Sequence, residues 1–364
     1  MRLRHEPARS PDGHRVFATE RQVGILGRLE ASAVGGERVP RVSIGMPVYN
    51  GARYLEAALE SILGQSYRDF EVIVSDNAST DATRAICERY AARDGRVRYV
   101  RNLRNLGASW NFNRVFALSR GEYFRQAAHD DVLLPTYLER CVAVLDADRS
   151  VVVAYPRTLV IDASGAQIAE FRDVLDLREG HPHERLAHFH RRVTHAHAEQ
   201  GKVKGANADC HPIFGLMRRS DLAGRPGGIL PDYVGSDVVL LSEQAQRGRF
   251  VEVGESLFLL RAHEESSCSG AFEDAVARAA WFNPSKRARV SNYLTMWRWA
   301  LEFVRATNRV EMTVGERLRC HLETLRFVGR ARCKLGGELV SALLRILRLR
   351  PLEPRSLRSG GALS

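Results

Sequence analysis

Three carboxylate-bearing segments of the sequence follow apolar runs or open helices and could take part in a reaction. The first is VSDNASTDAT, in which Asp76 ends an apolar run. A carboxylate there can accept hydrogen bonds from a nucleobase N–H or from ribose hydroxyls, as acidic residues at strand ends do in dinucleotide-binding folds. The same residue types also form ordinary turns, in which Asp76 holds the chain and Ser79 or Thr80 caps the next helix.

The second segment, RQAAHDDVLLP, has adjacent carboxylates at Asp130 and Asp131. Neighbouring acids raise each other's pKa unless a cation or a hydrogen-bond donor intervenes, so the pair predicts a divalent cation with oxygen ligands. Mg²⁺ or Mn²⁺ that bridges a diphosphate would fit this pattern. The alternative is that one of the two acids caps the helix that begins near Pro135.

The third segment, PDYVGSDVVLLSEQAQRGRF, places Asp237 at the start of a helix after a Gly-Ser turn. A carboxylate held there could take a proton from an acceptor hydroxyl as a general base. It could equally be a negative charge that the helix macrodipole favours. A histidine, His263, ends the apolar run LLRAH and could bind a metal or a phosphate, although a single histidine is more often structural.

The elements that would position these side chains alternate along the chain. Apolar runs predict strands at 42–46, 70–76, 97–101 and 122–127, and helical periodicity predicts helices at 52–64, 80–92 and 108–119. Strands that alternate with helices of this length form right-handed crossovers and a parallel sheet covered on both faces. The predicted fold class is therefore α/β, with a doubly wound, mostly parallel sheet and helices on both faces.

The candidate site is predicted at one edge of that sheet. Ligands of doubly wound sheets bind outside the carboxyl ends of the strands. The residues that follow the four predicted strands are all polar sets, at 47–50, 76–81, 102–107 and 129–131. We therefore expect these segments to line a common crevice.

The second half of the chain has a less regular pattern. A helix is predicted at 135–148, strands at VVVAY, RTLVID and IFGLMRR, a helix at 236–247, and further helices from about 283 to 349. Residues 176–212 are predicted to be irregular. Three H-x-H pairs in this half, at 181, 183, 188, 190, 195 and 197, suggest zinc. However, residues i and i+2 of a helix do not face each other, so a mobile acceptor-side segment is the favoured interpretation.

The net charge of +11 comes almost wholly from arginine. Guanidinium groups match phosphate oxygens, so this balance favours nucleotides, nucleic acid or anionic lipid as partners. Nucleic acid is disfavoured because the sequence has no recognition-helix motif, zinc knuckle or RNP-like aromatic strand. A nicotinamide enzyme is disfavoured because the first strand runs into Pro-Val-Tyr-Asn instead of G-x-G-x-x-G.

The cysteines and the hydropathy pattern bear on location. Six cysteines without a CxxC pair favour a reducing compartment. No run of about 18 apolar residues occurs, and the N-terminal region lacks an apolar run of signal-peptide length. We expect a cytoplasmic protein, with peripheral attachment to the inner face of the cell membrane as an option. A mostly apolar helix at 335–349 could pack on the domain, pair with another chain, or lie on an anionic membrane.

The sequence resembles the family 2 glycosyltransferases, which have the GT-A fold. Four segments carry the resemblance in the expected order: VSIGMPVYNGARYLEAALESILGQSYRDFEVIVSDNASTDAT, VRNLRNLGASWNFN, GEYFRQAAHDDVLLPTYLE and GSDVVLLSEQAQRGRFVEV. It implies an inverting transfer of a sugar from a nucleoside diphosphate sugar to the hydroxyl of a glycan or lipid-linked acceptor. Surface polysaccharide or glycolipid synthesis is the expected setting.

The resemblance also implies a domain organisation. Residues 40–265 would be the GT-A domain, with a nucleotide half at about 40–135 and an acceptor half at about 150–265. Outside the resemblance, the residues themselves predict the rest: 1–39, without sustained periodicity, as a disordered basic leader, 270–350 as a helical extension and the Pro/Arg/Ser/Gly-rich 351–364 as a disordered tail.

Roles of individual residues follow from the same resemblance. Asp237 matches the catalytic base of the family. The residues implied at the nucleoside pocket and its neighbouring wall are Pro47, Tyr49, Asn50, Asp76, Asn105, Gly107 and Asn113.

The sequence departs from the family at the metal motif. The usual Asp-Ala-Asp-Asp run is Ala128-His129-Asp130-Asp131 here, so its first acid is missing. Asp130 would then be the chief ligand of Mg²⁺ or Mn²⁺ with His263 as a helper, and His129 and Asp131 would contact the donor sugar or diphosphate. The alternative is a pseudoenzyme that binds a sugar nucleotide, or a membrane-associated regulatory protein, without turnover.

Overall fold

The structure is a computed structural model that describes residues 38–171, 175–196, 212–264, 275–286 and 294–346. All the elements named below belong to the part of the chain from Val39 onwards. Residues 1–37 of the predicted leader and the whole predicted tail lie outside the described residues.

The described residues form nine strands and eleven α-helices. The strands are β1 (Val42–Val48), β2 (Phe70–Asp76), β3 (Val97–Arg101), β4 (Tyr123–Gln126), β5 (Val132–Leu133), β6 (Val151–Ile161), β7 (Gln167–Phe171), β8 (Leu216–Arg218) and β9 (Arg249–Arg261). The helices are α1 (Ala52–Leu63), α2 (Thr83–Arg93), α3 (Ala108–Leu118), α4 (Tyr137–Ala147), α5 (Pro182–Ala196), α6 (Arg219–Leu222), α7 (Ser236–Arg247), α8 (Ala275–Phe282), α9 (Thr295–Arg309), α10 (Val314–Arg330) and α11 (Arg332–Ile346).

The first half of the sheet is parallel. β1 lies between β2 and β4, and β3 lies beyond β2. β1 and β2 are buried along almost their whole length, which explains why they form near-continuous apolar runs in the sequence. The predicted alternation of strands and helices is confirmed here, with boundaries that differ by at most three residues.

Both faces of the sheet are covered by helices. Neighbouring residues of a strand point to opposite faces. Val72 and Val74 of β2 belong to a core formed with α1, α2 and α4, whereas Ile73 belongs to a second core that contains residues of α3 and α7. The predicted doubly wound arrangement is therefore confirmed.

The second half of the sheet mixes both directions. β8 is antiparallel to β4 and to β6, β6 is parallel to β9, and β5 and β7 add short antiparallel ladders. The two strands predicted at VVVAY and RTLVID are one strand, β6. It pairs with β9 along its length, and the register shifts at Pro156, where a bulge tolerates a residue that cannot donate a ladder hydrogen bond.

The prediction that residues 176–212 are irregular is wrong for α5. This helix buries Leu186, Phe189 and Val193 on one side, at spacings of three and four residues. The remaining positions are mostly histidine, arginine and other polar residues, which lowers the overall hydropathy and hides the helical period. Tertiary packing of that narrow apolar side against α7 and α10 stabilises the helix.

The C-terminal helices pack on one another and on α7. The Trp299 indole N–H donates to the Val234 carbonyl at 2.9 Å, and the Glu338 carboxylate accepts from the Met296 N–H at 2.9 Å. Leu335 is buried at the start of α11, so the described part of the predicted final helix packs against α9. Within the described residues, no helix is long and apolar enough to cross a bilayer.

His190 on α5 is enclosed by aromatic rings of α9 and α10. Its ring centroid lies 4.7 Å from that of Phe303 and 4.9 Å from that of Phe327. The side chain is fully buried, and loss of hydration by the charged imidazolium lowers its pKa to about 3. His190 therefore has a structural role, and the prediction of a mobile segment is wrong at this position. The His195 side chain and His197 lie outside the described residues.

We expect His190 to make the fold sensitive to acid. Its pKa is lowered in the folded state, so below pH 6.5 the unfolded chain binds more protons, and the stabilisation present at neutral pH is lost as pH falls towards 3. In His190→Leu, the difference in unfolding free energy between pH 7.5 and pH 5 should shrink by about 2 kcal/mol relative to wild type. Urea denaturation at both pH values measures this. The exposed His181→Leu serves as the control, and an unchanged difference in His190→Leu would contradict the assignment.

Candidate active site

The loop after β1 is tied to the loop after β2. Asn50 has a left-handed backbone with φ of 50°. Its N–H donates to Ser79 Oγ at 2.9 Å, and its Oδ1 accepts from the Thr80 N–H at 2.9 Å. The Gly51 N–H donates to Thr83 Oγ1. Ser79 and Thr80 therefore hold the first loop instead of capping α2, which begins only at Thr83.

Pro47 and Tyr49 flank this turn. Pro47 lies opposite Ser75 in the register of β1 with β2. Tyr49 exposes 45% of its surface, and a half-exposed ring offers a face on which a planar ligand can stack. Their predicted place in a nucleoside pocket stays a prediction.

Asp76 is fully buried, and its carboxylate organises the edge of the sheet. Oδ1 accepts from the Ser79 N–H at 2.8 Å, and Oδ2 accepts from the Tyr99 hydroxyl at 2.8 Å and from Arg101 Nε at 3.0 Å. Burial and the bond to Asp76 raise the pKa of Tyr99 well above its ordinary value. The Arg101 guanidinium balances the buried negative charge.

Tyr99 and Arg101 were missed by the sequence reasoning. Both lie on β3, two residues apart, and therefore point to the same face of the sheet. The segment VRYVR does contain a signal for them. Alternate residues of a strand share a face, and β3 ends at the same sheet edge as β2, so Tyr99 and Arg101 can reach the residues that follow β2.

Side-chain amides join the loop after β3 to the loop after β2. Asn77 Nδ2 donates to Asn105 Oδ1 at 2.8 Å, and Asn77 Oδ1 accepts from Asn102 Nδ2 at 2.8 Å. Asn105 Oδ1 also accepts from the Gly107 N–H. Gly107 has φ of 88°, and a Cβ there would lie 2.5 Å from the Phe282 carbonyl oxygen. Glycine is therefore required where α3 begins.

Asn113 has a different environment from Asn105. Its Nδ2 donates to the Leu230 carbonyl at 3.0 Å and the Gly227 carbonyl at 3.2 Å, and its Oδ1 accepts from the Leu230 N–H at 3.0 Å. The amide thus anchors the segment that leads to α7 onto α3.

The residues after β4 meet the end of β9. Nε2 of His263 lies 2.8 Å from Oδ2 of Asp130, and the side chains keep only 6% and 13% exposure. His129 packs against Gly51, where a Cβ would lie 2.5 Å from its ring. The Tyr54 ring lies 5.0 Å from that of His263. The structure therefore brings together the predicted metal pair and connects it to the loop after β1.

The two neighbouring acids have opposite electrostatic environments. Burial alone would raise the pKa of Asp130, but the His263 hydrogen bond and the charges of His129 and His263 outweigh it and hold this pKa below its ordinary value. Burial and the nearby Asp130 raise the pKa of Asp131 well above its ordinary value. Asp131 Oδ1 accepts from the Arg261 N–H at 2.9 Å, so Asp131 fixes the end of β9.

Asp130 and His263 can supply one carboxylate and one imidazole to a cation. The buried Nδ1 of His263 has no hydrogen-bond partner among the described residues. The same part of the chain contains no group of three or more His, Cys, Asp or Glu residues placed to hold an ion. Mg²⁺ in transferases typically takes one or two carboxylates, and substrate phosphates complete its shell. One carboxylate and one imidazole therefore fit a cation whose remaining ligands come from a bound diphosphate.

Asp237 lies half-buried in the first turn of α7. The helix follows Gly235, which has φ of 78° and where a Cβ would lie 2.2 Å from the Trp299 ring. Trp299 and the contacts of Asn113 therefore hold in place the chain segment that leads into α7 and to Asp237. Its roles as a base and as a favourable charge at a helix start both stay open.

The comparisons with known proteins agree with this arrangement. Residues 43–223 match the protein family described as glycosyl transferase family 2. The chain carries a family 2 glycosyltransferase domain. This domain is similar to the EpsE protein of Bacillus subtilis, with 36% identity over 129 residues, or 35% of this chain and 46% of that protein. It is also similar to chondroitin synthase of Escherichia coli, with 36% identity over 133 residues, or 36% and 19% of the two chains. The chain thus spans less than half the length of these curated relatives.

The fold of the glycosyltransferase domain has a counterpart among solved structures. Residues 1–349 of TarS from S. aureus, in complex with UDP-GlcNAc, superpose with a TM-score of 0.55 at 15% identity, and the match covers 85% of this chain and 83% of that one. The predicted GT-A fold is confirmed.

Proposed function

We propose that the chain is an inverting glycosyltransferase that moves a sugar from a nucleoside diphosphate sugar to an acceptor hydroxyl. One observation carries this proposal: the loops after β1, β2, β4 and β9 are joined at one edge of the sheet. Asn50 contacts Ser79, Gly51 contacts His129, and Asp130 contacts His263. This edge is where doubly wound sheets bind ligands.

The nucleoside of the donor is proposed to lie between the loops after β1 and β2. Tyr49 would stack on the base, Pro47 and Asn50 would shape the turn, and Asn105 and Gly107 would form the adjoining wall. Asp76 is fully buried and accepts from the Ser79 N–H, the Tyr99 hydroxyl and Arg101, so it is proposed to support the nucleoside pocket from behind by fixing the residues that line it. The UDP-GlcNAc bound by TarS supports a nucleotide sugar as the donor class.

The proposed reaction is a single displacement. The acceptor oxygen attacks the anomeric carbon from the side opposite the diphosphate, its proton passes to Asp237, and the bond between the anomeric carbon and the diphosphate oxygen breaks. Inversion follows, and no covalent intermediate with the protein is needed. His129 is proposed to contact the donor sugar or diphosphate. Mg²⁺ or Mn²⁺ held by Asp130 with His263 would supply positive charge to the leaving diphosphate.

The acceptor is proposed to be a growing glycan or a lipid-linked sugar in surface polysaccharide or glycolipid synthesis. The similarity to E. coli chondroitin synthase supports a polysaccharide setting. The cytoplasmic location predicted from the sequence stays a prediction.

A second candidate is a sugar-nucleotide-binding protein without turnover. Ala128 stands where the family usually has the first acid of its metal motif, and this favours weaker metal binding. Donor binding without donor hydrolysis or transfer would support this candidate.

A thermal-shift screen tests the donor class. UDP-, GDP- and dTDP-sugars are added with and without Mn²⁺. A ligand present at about 100 times its Kd should stabilise the fold by about 2.7 kcal/mol and raise Tm accordingly. Sugar nucleotides of one base should raise Tm more than those of the other two bases. Equal midpoints for all nucleotide sugars and for buffer would contradict the proposed donor site.

Asp130→Ala should remove the effect of metal on diphosphate binding. Calorimetry of wild type with the nucleoside diphosphate selected by the screen should show tighter binding with Mn²⁺ than without it, whereas Asp130→Ala should bind equally under both conditions. Affinity for the corresponding nucleoside, which lacks the diphosphate, is the internal control and should not change. If Mn²⁺ still tightens diphosphate binding in Asp130→Ala, Asp130 is not a ligand of the cation.

A further inference from the structure

The hairpin of α9 and α10 carries two rows of exposed apolar side chains. On α10 the row is Val314, Leu318, Leu322 and Leu325, with exposures between 46% and 74%. On α9 the row is Trp297, Leu301 and Val304, with exposures between 37% and 51%. Spacings of three and four residues place each row on one side of its helix, whereas Phe303 and Phe327 are buried on the opposite sides.

The two rows lie side by side. His321 Nε2 lies 3.1 Å from Asn308 Oδ1 and joins α10 to α9. Asn308 continues the α9 row four residues beyond Val304, and His321 precedes Leu325 by four residues. On the opposite sides of the two helices the Phe303 and Phe327 rings contact each other, with centroids 5.2 Å apart. Both rows therefore point away from the same buried side, and the seven apolar residues above form one surface, the α9–α10 face.

Positive charge borders this face. At about 100° per residue, Arg319, Arg326 and Arg330 lie on the side of α10 next to its apolar row, and Arg298 and Arg305 lie next to the row of α9. Across the described residues 294–346, the exposed basic residues are Arg298, Arg305, Arg319, Arg326, Arg330, Arg332 and Lys334, against the single exposed acid Glu311. The other acids are partly or fully buried, and two of them pair with border arginines: Glu302 with Arg305 at 2.8 Å, and Glu323 with Arg326. Arg298, Arg319 and Arg330 therefore carry most of the uncompensated charge of the border. Glu323 has 7% exposure, and Glu338 binds backbone N–H groups of α9.

We propose that the α9–α10 face binds an anionic lipid bilayer and holds the protein on a membrane surface. The exposed leucine and valine side chains would enter the boundary between headgroups and acyl chains, and the arginines would contact lipid phosphates. Trp297, whose indole N–H donates to the Leu335 carbonyl at 3.0 Å, would keep that bond and present its exposed ring edge to the headgroups. The geometry is that of helices lying in the plane of the interface. The proposal does not depend on the glycosyltransferase reaction.

The charge distribution favours a bilayer over a second copy of the chain. A twofold dimer through this face would use the same surface on both subunits and would bring the two arginine borders together. An anionic bilayer neutralises the borders and buries the apolar rows at once.

The surface differs from the one that the sequence suggested. The sequence gave membrane contact as one option for a helix at 335–349, with packing on the domain as the favoured one, and α11 does use Leu335 and Glu338 to pack against α9. Leu339, Val340 and Leu343 of α11 are also exposed and are proposed to add to the contact, with the α9–α10 face as its main part.

Sedimentation with vesicles tests the proposal on the full chain. Wild type should bind vesicles of phosphatidylcholine and phosphatidylglycerol at 7:3 at least about tenfold more tightly than pure phosphatidylcholine vesicles. Leu318→Asp/Leu325→Asp should weaken binding to the anionic vesicles by at least about tenfold. Arg319→Gln/Arg326→Gln/Arg330→Gln should weaken it too and should reduce its dependence on salt.

Ile168→Asp is the matched control, because Ile168 is a half-exposed apolar residue on β7 and its replacement should leave binding unchanged. Thermal unfolding checks that each variant is folded, and the milder Leu318→Gln/Leu325→Gln replaces the aspartate variant if that variant unfolds early. Wild-type binding by the folded leucine variants overturns the proposal. A second pair of results also overturns it: the wild type does not bind vesicles, and light scattering shows a wild-type dimer that the leucine variants convert to a monomer.

Discussion

Asp237→Asn is expected to lower the rate of sugar transfer by roughly 10²–10⁴-fold and to leave donor affinity unchanged. Asparagine has the shape of aspartate and is tolerated in the first turn of a helix, but it cannot take the proton of the acceptor hydroxyl. Transfer or donor hydrolysis measured at saturating donor gives the rate, and calorimetry with the nucleoside diphosphate gives the affinity.

The control for this experiment is Glu88→Gln. Glu88 is an exposed acid on α2 that pairs with Arg84 one helical turn away, and such pairs contribute only a few tenths of a kcal/mol. Both variants should therefore fold like wild type. If Asp237→Asn keeps its full rate, Asp237 has only the favourable electrostatic role of an acid at a helix start.

Glu243→Gln is expected to destabilise the fold by about 3–5 kcal/mol. Glu243 is fully buried on α7, and its carboxylate oxygens lie 2.5 Å from Arg225, 3.0 Å from Arg247 and 2.7 Å from Arg309. Glutamine keeps the shape but removes the negative charge, so the positive charge around it is left uncompensated in a poorly hydrated place. Tm in a calorimetric scan should fall by roughly 10 °C.

The matched control is Glu255→Gln. Glu255 pairs with Arg140 at 2.9 Å, but both side chains are about half exposed, and such surface pairs contribute less than about 1 kcal/mol. A similar loss of stability in both variants would show that burial of the Glu243 cluster is not the cause. Asp237 also lies on α7. Glu243→Gln should therefore reduce transfer activity even when the assay temperature is well below the Tm of the variant.

The sequence alone determined the first half of the fold. β2 and β3 were placed with their observed bounds, because apolar runs bounded by polar turns depend mostly on local residue types. The polar sets that follow β1, β2, β3 and β4 were predicted to meet, because parallel strands end at the same sheet edge. The helix α7, with Asp237 in its first turn, was also placed with its observed bounds.

The sequence could not determine pairings between distant residues. Asp130 and His263 are 133 positions apart, and their contact follows from the pairing of β5 with β9, a two-residue ladder without a local signal. Tyr99 and Arg101 were missed for a similar reason, since their partner Asp76 lies on the neighbouring strand. The helix α5 was missed because its narrow apolar side gains stability only when α7 and α10 cover it.

The sequence by itself therefore determined the element types of the first half, the sheet edge and the residue chemistry available there. The tertiary structure decided which of those residues touch, that Asp130 faces His263 while Asp131 turns inward to Arg261, and that the α9–α10 face stays exposed. The physical reason is that hydrophobic period and turn residues act over a few positions of the chain, whereas contacts between loops and between helices depend on how whole elements pack.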